Sequence, residues 1–473
     1  MKKIDINRNL KDNYYLFSNN QNFYMYNLTN GIIAQLTKKI FNIIKKYLDG
    51  QQLNSEENEY IEELISCNLI SSQYQSVVKD NPRINDLAYL SFAPIYGCNF
   101  RCSYCFGDHG NCYSAMEKGF TDENLFKMLS CFFFDYFPDS KQYRIDFVSG
   151  GEPLLGFPLI KKTIEYCERI SAQTKKNISI WLCTNASLLT DDIIEYLSIH
   201  NVSIGISIDG EKECNDSNRV FPDGSGTYDS IVKGIKLIQN NKNVSKKFKY
   251  VWGLCAASNG NCNFVNIINH LYYLGFKSVQ IRLIRSKEKY DISKIVYEYK
   301  RLSLFLLSSF KEGNLAFLRM IVNDNDQFGQ VVKRIILGNL VWQRCNAGIN
   351  KITVCPDGTI YPCDSMVGHS DFIIGNLTLK KVNCDFFKSI TVDSINQCAK
   401  CDIRYLCGGD CYYNSLMKNE NITYPDCEFC ELQRSIVEIS LLLCLNMQTY
   451  DDELYAKLVK ELALKESYHE LHG

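Results

Sequence analysis

Cys98-Asn99-Phe100-Arg101-Cys102-Ser103-Tyr104-Cys105 places three cysteines at C-x3-C-x2-C spacing directly after an apolar, strand-like run from Leu87 to Ile95. Three thiolates on one loop fall one short of the four protein ligands that a tetrahedral zinc or an ordinary [4Fe–4S] site takes. They leave one iron open. An open iron can be chelated by the nitrogen and oxygen of a small molecule.

Outward from this loop, the pattern alternates strand and helix. Candidate strands Leu87–Ile95, Arg144–Ser149, Ile178–Cys183, Val202–Ile208, Phe248–Cys255 and Ser278–Leu283 are separated by helical stretches such as Asp122–Phe134, Pro158–Ala172 and Asp191–His200. Six such units predict an α/β fold on a partial (β/α)6 TIM-like barrel, in which chemistry gathers at the carboxyl ends of the strands. The motifs fall there. Gly150-Gly151-Glu152-Pro153 ends the second strand, Thr184-Asn185 the third and Ser207-Ile208-Asp209-Gly210 the fourth, with Arg219 ten residues beyond Asp209. Glycines let a backbone approach closely, a carboxylate accepts from an ammonium, and a guanidinium pairs bidentately with a carboxylate.

The cysteine loop, with Tyr104 before its third cysteine and these strand ends following in order, resembles the radical S-adenosylmethionine (SAM) enzymes. The resemblance implies that Cys98, Cys102 and Cys105 hold a [4Fe–4S] cluster whose open iron binds SAM. It also implies a SAM site of Tyr104, Gly150, Gly151, Glu152, Pro153, Asn185, Ser207, Asp209 and Arg219, with Glu152 at the ammonium, the Asp209 strand end at the ribose and Arg219 at the carboxylate. A 5′-deoxyadenosyl radical would then abstract hydrogen, after an external donor such as flavodoxin or ferredoxin supplies one electron. His109, in the loop after the cluster motif, reads as a solvated loop histidine.

A second cysteine pattern lies downstream. Cys345-x12-Gly358-x4-Cys363 is followed by Cys398-x2-Cys401-x5-Cys407-x3-Cys411 and then by Cys427 and Cys430. Two C-x2-C pairs also suit a zinc ribbon, but the whole resembles the seven-cysteine SPASM domain of auxiliary iron–sulfur clusters. On that resemblance one auxiliary cluster takes Cys345, Cys363 and Cys411, with Cys355 as fourth ligand or the fourth iron open. The other takes Cys398, Cys401, Cys407 and Cys430 or Cys427; the continuation Glu431-Leu432-Gln433-Arg434 favours Cys430. Asp364, directly after Cys363, resembles a proton acceptor of anaerobic sulfatase-maturating enzymes. The expected cofactors are thus SAM and three [4Fe–4S] clusters.

Ahead of the barrel, Tyr14–Ser18 and Asn22–Asn27 predict two strands about Asn19-Asn20-Gln21, then a helix from Leu36 to Leu48 and a second from cap Asn54 to about Cys67. This winged-helix-like arrangement resembles the PqqD-like domains that precede radical SAM maturases of ribosomal peptides. A free strand edge there can capture an extended leader peptide. The expected domains are a precursor-peptide recognition domain over residues 1–85, the barrel over 86–290, a helical bridge over 291–344, the SPASM domain over 345–430 and a C-terminal helical segment over 431–473.

Composition sets limits on the rest. A chain of 473 residues with 46% hydrophobic content can bury a sizeable core, and a net charge of −1 gives no basic surface for nucleic acid or an anionic membrane. Met1-Lys2-Lys3-Ile4-Asp5 lacks the apolar region of a secretory signal, so a cytoplasmic location is expected. In a reducing compartment the 22 cysteines point to metal–sulfur ligation rather than disulfides. Cys67, Cys131, Cys167, Cys183, Cys214, Cys255, Cys262 and Cys444 read as small buried hydrophobes. The segment Asn218–Asp229, and Tyr361-Pro362-Cys363 before Val367-Gly368, resemble thioether-forming maturases. The expected function is therefore radical modification of a ribosomally synthesised precursor peptide by Cys-to-carbon thioether cross-linking. An anaerobic sulfatase maturase and a non-enzymatic electron-transfer protein are the alternatives.

Overall fold

The computed structural model of the chain describes residues 10–75, 86–109, 119–148, 150–240, 251–285, 289–379 and 381–472. Residue 149 and residues 248–250, ends of two predicted strands, lie outside the described residues, as does the predicted domain boundary at 85.

Strands β1 (Tyr14–Asn19), β2 (Asn22–Asn27) and β3 (Ile33–Leu36) form an antiparallel sheet in that order, followed by helices α1 (Lys38–Leu48) and α2 (Ser55–Ser66). The helix predicted from Leu36 starts two residues later. Thr37 caps it by accepting from the Ile40 N–H, and Leu36 closes a third strand against Phe23. Asn54 and Glu57 form the reciprocal capping box of α2. Both faces of this sheet are covered. Tyr14 and Met25 pack on Ile43, Ile44, Leu48 and Ile61, while Tyr15, Phe17, Tyr24 and Tyr26 enter the main core of the chain. Each buried ring on that second face contributes about 1.5–3 kcal/mol, so the N-terminal unit is docked rather than tethered.

The main sheet has nine strands in the order β12-β11-β10-β4-β5-β6-β7-β8-β9. Its parallel part is β4 (Leu87–Phe92), β5 (Gln142–Phe147), β6 (Asn177–Thr184), β7 (Ser203–Ser207), β8 (Val251–Ala257) and β9 (Val279–Leu283), the partial barrel expected from the sequence. Sequential order follows from helical crossovers such as Phe157–Thr174 and Asp191–Ile199 between neighbouring strands. Ala88, Leu90, Phe92, Tyr143, Ile145 and Phe147 of β4 and β5 are fully buried. On the alternate face the Arg144 guanidinium lies 3.8 Å from the Trp181 ring and 5.5 Å from Tyr89, and pairs with Asp146 at 2.5 Å.

The remaining strands were not read as part of this sheet. Hairpin β10 (Lys351–Val354) and β11 (Thr359–Tyr361) joins it by parallel pairing of Lys351 with Tyr89 of β4, and β12 (Gly375–Asn376) follows on β11. The second cysteine region is therefore continuous with the barrel's first strand. Helix Ile292–Lys311 packs along helix Cys427–Tyr450, with Leu302, Leu306, Phe310, Ile436 and Val437 in the same core as the barrel. Among the described residues no helix is long and apolar enough to cross a membrane.

Candidate functional site

The C-x3-C-x2-C loop is held by the residues between its cysteines. Arg101 N–H donates to the Val220 carbonyl at 2.7 Å and Ser103 N–H to that of Asn218 at 2.9 Å, while the Ser103 hydroxyl reaches Asn218 Oδ1 at 2.8 Å. Asn99 donates to Ser187 Oγ and accepts from Asn185 Nδ2, and Phe100, 1% exposed, meets Phe221 edge-on at 5.0 Å. The loop thus spans the ends of β6 and the segment after β7, and its thiols are only partly buried. The positioning roles of Asn99, Ser187 and Asn218 were missed in the sequence because short polar residues in loops carry no periodicity; Asn218 was legible only as the first residue of the segment Asn218–Asp229.

Gly150 and Gly151 bring the next strand end against this loop. Gly97 N–H donates to the Gly150 carbonyl at 2.9 Å and Glu152 N–H to the Gly97 carbonyl at 2.8 Å. Gly150 has φ +75°, and a Cβ on Gly151 would stand 1.8 Å from the Gly97 oxygen. Gly151→Ala is accordingly expected to destabilise the protein by about 2–4 kcal/mol, read as a lowered thermal midpoint, because the backbone itself must move.

Glu152, 2% exposed, accepts from Thr184 Oγ1 at 2.6 Å and Leu154 N at 3.1 Å on one oxygen, and from Asn185 N at 2.8 Å on the other. Burial raises its pKa to about 6, against the pull of these donors. The second oxygen thus accepts one of these three bonds, the first oxygen two.

Asp209 takes a different place from the one expected at the ribose. It is fully buried, one oxygen accepting from Ala256 N at 2.9 Å and the other from Arg219 Nε at 2.9 Å and from the Tyr104 hydroxyl. The cause is the short loop after β7, which turns Asp209 inward toward β8 and is fixed by Asn261 donating to the Asp209 carbonyl at 2.7 Å. Asp209 therefore ties Tyr104 of the cysteine loop to Arg219, whose guanidinium lies 5.4 Å from the Tyr104 ring. Arg219 commits only Nε here. Ser207 ends β7, partly exposed, and Pro153 opens a 3-10 turn capped by Glu152. His109 is not a solvated loop residue: its Nε2 lies 3.0 Å from the Cys102 carbonyl oxygen and its backbone N–H donates to Cys105 Sγ.

Two further thiol groups gather beyond the barrel. Cys363 is pushed up to about 12 by burial and then by Asp364, with the thiols of Cys411 and Cys345 acting on it as well and Lys351 opposing. Lys351 Nζ is 3.3 Å from Asp364 Oδ1. Cys430 is raised by burial and then by the thiols of Cys407 and Cys398, the Asp410 carboxylate and the thiol of Cys401. Cys427 stands at the exposed start of the C-terminal helix. Cys355 does not join the first group: it is fully buried at the turn after β10, where its thiol is hydrogen-bonded with Tyr96 and feels the Asp357 carboxylate. Cations surround these thiols. Arg285 is raised foremost by Cys411, Arg344 and Arg334 donate to the Cys407 carbonyl, and burial beside Arg344 lowers Arg334 to about 10. Closely spaced cations of this kind fit an anionic group such as a cluster with four thiolates.

Among the described residues no three or more His, Cys, Asp or Glu side chains stand at the spacing of a single metal ion. A donor set of thiolates without histidine or carboxylate is the set that an iron–sulfur cluster takes. Of the cysteines read as small hydrophobes, Cys131, Cys167, Cys255, Cys262 and Cys444 are buried, but Cys67 is exposed and Cys183 and Cys214 only partly covered. Cys183 lies on the Trp181 face of β6, opposite the buried Leu182 and Thr184.

Residues 92–251 match the radical SAM superfamily. The cysteine-type anaerobic sulfatase-maturating enzyme of Clostridium perfringens is 26% identical over 348 residues, 67% of this chain and 86% of that protein. The radical SAM cyclopropyl synthase TigE of Paramaledivibacter caminithermalis is 22% identical over 438 residues, 85% of this chain and 86% of that protein. Native anSMEcpe with bound AdoMet and Cp18Cys peptide superposes with a TM-score of 0.59 at 20% identity, over 80% of this chain and 99% of that one. Streptococcus suis SuiB bound to precursor peptide SuiA gives a TM-score of 0.50 at 14% identity, over 88% and 98%. These two likenesses establish the fold.

Proposed function

We propose, for this radical SAM superfamily member related to the anaerobic sulfatase maturases and to SuiB-like peptide modifiers, that it modifies a ribosomally synthesised precursor peptide and forms Cys-to-carbon thioether cross-links. The observation that carries this reading is the combination of three parts: an N-terminal three-stranded sheet packed into the main core, the C-x3-C-x2-C loop after β4, and, flanking the hairpin β10–β11 that pairs with β4, Cys345 and Cys363, on whose thiols that of Cys411 also acts.

Bound at this site, SAM and a [4Fe–4S] cluster supply one-electron chemistry that removes a hydrogen atom from the substrate. The chain's own residues then do the following. Cys98, Cys102 and Cys105 hold three irons. Glu152 offers its second oxygen to the SAM ammonium, and Arg219 its two terminal nitrogens to the carboxylate. Asn185 and Ser207 flank the nucleoside, and Asp209 keeps Tyr104 and Arg219 in place. Cys345, Cys363 and Cys411 would hold an auxiliary cluster, and a substrate thiol bound beside them would make bond formation effectively intramolecular. Asp364, held by Lys351, is placed to accept a proton. Cys398, Cys401, Cys407 and Cys430 hold the second auxiliary cluster.

Glu152 makes SAM binding pH-dependent. A carboxylate is needed at the ammonium, and burial raises its pKa to about 6. SAM affinity is expected to be full above this value and to fall about tenfold per unit of pH below it. Titration calorimetry at pH 5–8 reads this, and Glu152→Gln should bind weakly at every pH. A profile unchanged by Glu152→Gln would remove Glu152 from the site.

The 26% identity to a cysteine-type sulfatase maturase favours a second reading, oxidation of a sulfatase cysteine. Given a synthetic sulfatase peptide, the enzyme is expected to leave its cysteine unchanged by mass spectrometry. Formylglycine in that peptide would put the second reading first.

A further inference from the structure

The N-terminal unit reaches the second auxiliary thiol group through two arginines. Arg434, on the C-terminal helix, donates to Cys401 Sγ at 3.7 Å, to Asp402 Oδ1 at 2.7 Å and to the Tyr15 hydroxyl of β1 at 3.3 Å. That hydroxyl in turn donates to Glu438, one helical turn on, at 2.7 Å. Arg404, 3% exposed, donates to the Cys401 carbonyl at 3.0 Å, to Asp393 at 3.2 Å and to Asp12 at 2.9 Å. Tyr15 stacks on Phe17 at 5.2 Å and Phe17 on Tyr24 at 5.1 Å, so an aromatic row runs across β1 into β2, the strand that pairs with the edge strand β3.

We propose that Arg434 and Arg404 are positioning residues of the cluster on Cys398, Cys401, Cys407 and Cys430, and that the N-terminal sheet, through Tyr15 and Asp12, sets the hydrogen bonding of Cys401 and hence the reduction potential of that cluster. This rests on the reading that these four cysteines hold a cluster. Hydrogen bonds and cations at a cluster's sulfur stabilise its more negative, reduced form and raise its potential. Arg434 is the donor at Cys401 Sγ, and the Tyr15 hydroxyl is one of the acceptors that aim it. A peptide added to the edge of β3 perturbs the same three-stranded sheet, so substrate capture and electron supply become coupled without direct contact.

The test uses the full-length, anaerobically reconstituted enzyme in EPR-monitored redox titrations, with iron content measured on each sample. Arg434→Gln is expected to shift one of the three reduction waves to lower potential and leave the other two in place, Arg434→Lys to restore most of the shift, and Tyr15→Phe to give a smaller shift of the same sign. Unmoved waves in Tyr15→Phe and Arg434→Gln at full iron content would overturn the coupling. Iron matching the SAM cluster alone in the unmodified enzyme would instead overturn the auxiliary-cluster reading on which it rests.

Discussion

Simultaneous replacement of Cys98, Cys102 and Cys105 by Ala is expected to remove about four irons per chain and to abolish 5′-deoxyadenosine formation, because these three thiolates are the protein ligands of the open-iron cluster. The fold should survive. The loop is held by the side chains of Asn99 and Ser103, the backbone N–H groups of Arg101 and Ser103 and the ring of Phe100, and the variant gives up the long donations of Phe100 N–H to Cys98 Sγ at 3.4 Å and of His109 N–H to Cys105 Sγ at 3.3 Å. Iron analysis, chromatographic assay of SAM cleavage and circular dichroism on one sample separate the cases. Retained cleavage in a folded variant would sink the radical SAM mechanism for this chain.

The second large effect concerns β3. Asn27 N–H donates to the Ile32 carbonyl at 2.9 Å, so alternation along the antiparallel pair turns the backbone groups of Ile33 and Gln35 outward, away from β2. Among the described residues this edge pairs with no further strand. Gln35→Pro removes an outward N–H and places a ring in the path of an incoming strand while sparing the inner ladder. The expected cost is about 1.5–3 kcal/mol of peptide affinity, roughly ten- to a hundredfold in Kd, with uncoupled SAM cleavage unchanged. Unaltered peptide binding by fluorescence anisotropy would make the N-terminal unit a structural cap. Deleting the whole unit is the poorer experiment. It would expose the core face on which Tyr15, Phe17 and Tyr26 lie and strip Asp12 from the buried Arg404, so stability and peptide capture would fall together.

The barrel was legible because each strand carries its own periodic signal. All six parallel strands, from Leu87–Phe92 to Val279–Leu283, overlap those expected, since apolar runs bounded by helices of opposite period leave little choice of assignment. β3 was not legible: four residues, Ile33-Ala-Gln-Leu36, are too few for a period, and Leu36 fits the apolar spacing of the following helix equally well. Nor was the pairing of Lys351 with Tyr89, because the partners stand 262 positions apart and register between distant strands leaves no local trace. At the site, cysteine spacing predicts three thiol groups, but spacing does not say where a side chain turns. Cys355 sits on the same hairpin as Cys363 yet faces Tyr96. Asp209, at a strand end that the motif marks for a ligand, is enclosed by Tyr104, Arg219 and Ala256, because a buried carboxylate must find donors wherever the fold provides them.

TigE, whose name is that of a cyclopropyl synthase, resembles 85% of the chain, and the sulfatase maturase of Clostridium perfringens resembles 67%. The first hydrogen abstraction therefore does not by itself decide the product. What distinguishes thioether formation is the fate of the substrate thiol, which is proposed to be held beside Cys345, Cys363 and Cys411. The decisive measurement is mass spectrometry, before and after alkylation, of the cysteine-containing peptide encoded beside the gene and expressed with and without the enzyme. The account predicts a loss of two hydrogens per cross-link with one fewer alkylatable thiol for each. The same mass loss with every thiol still reactive would contradict it.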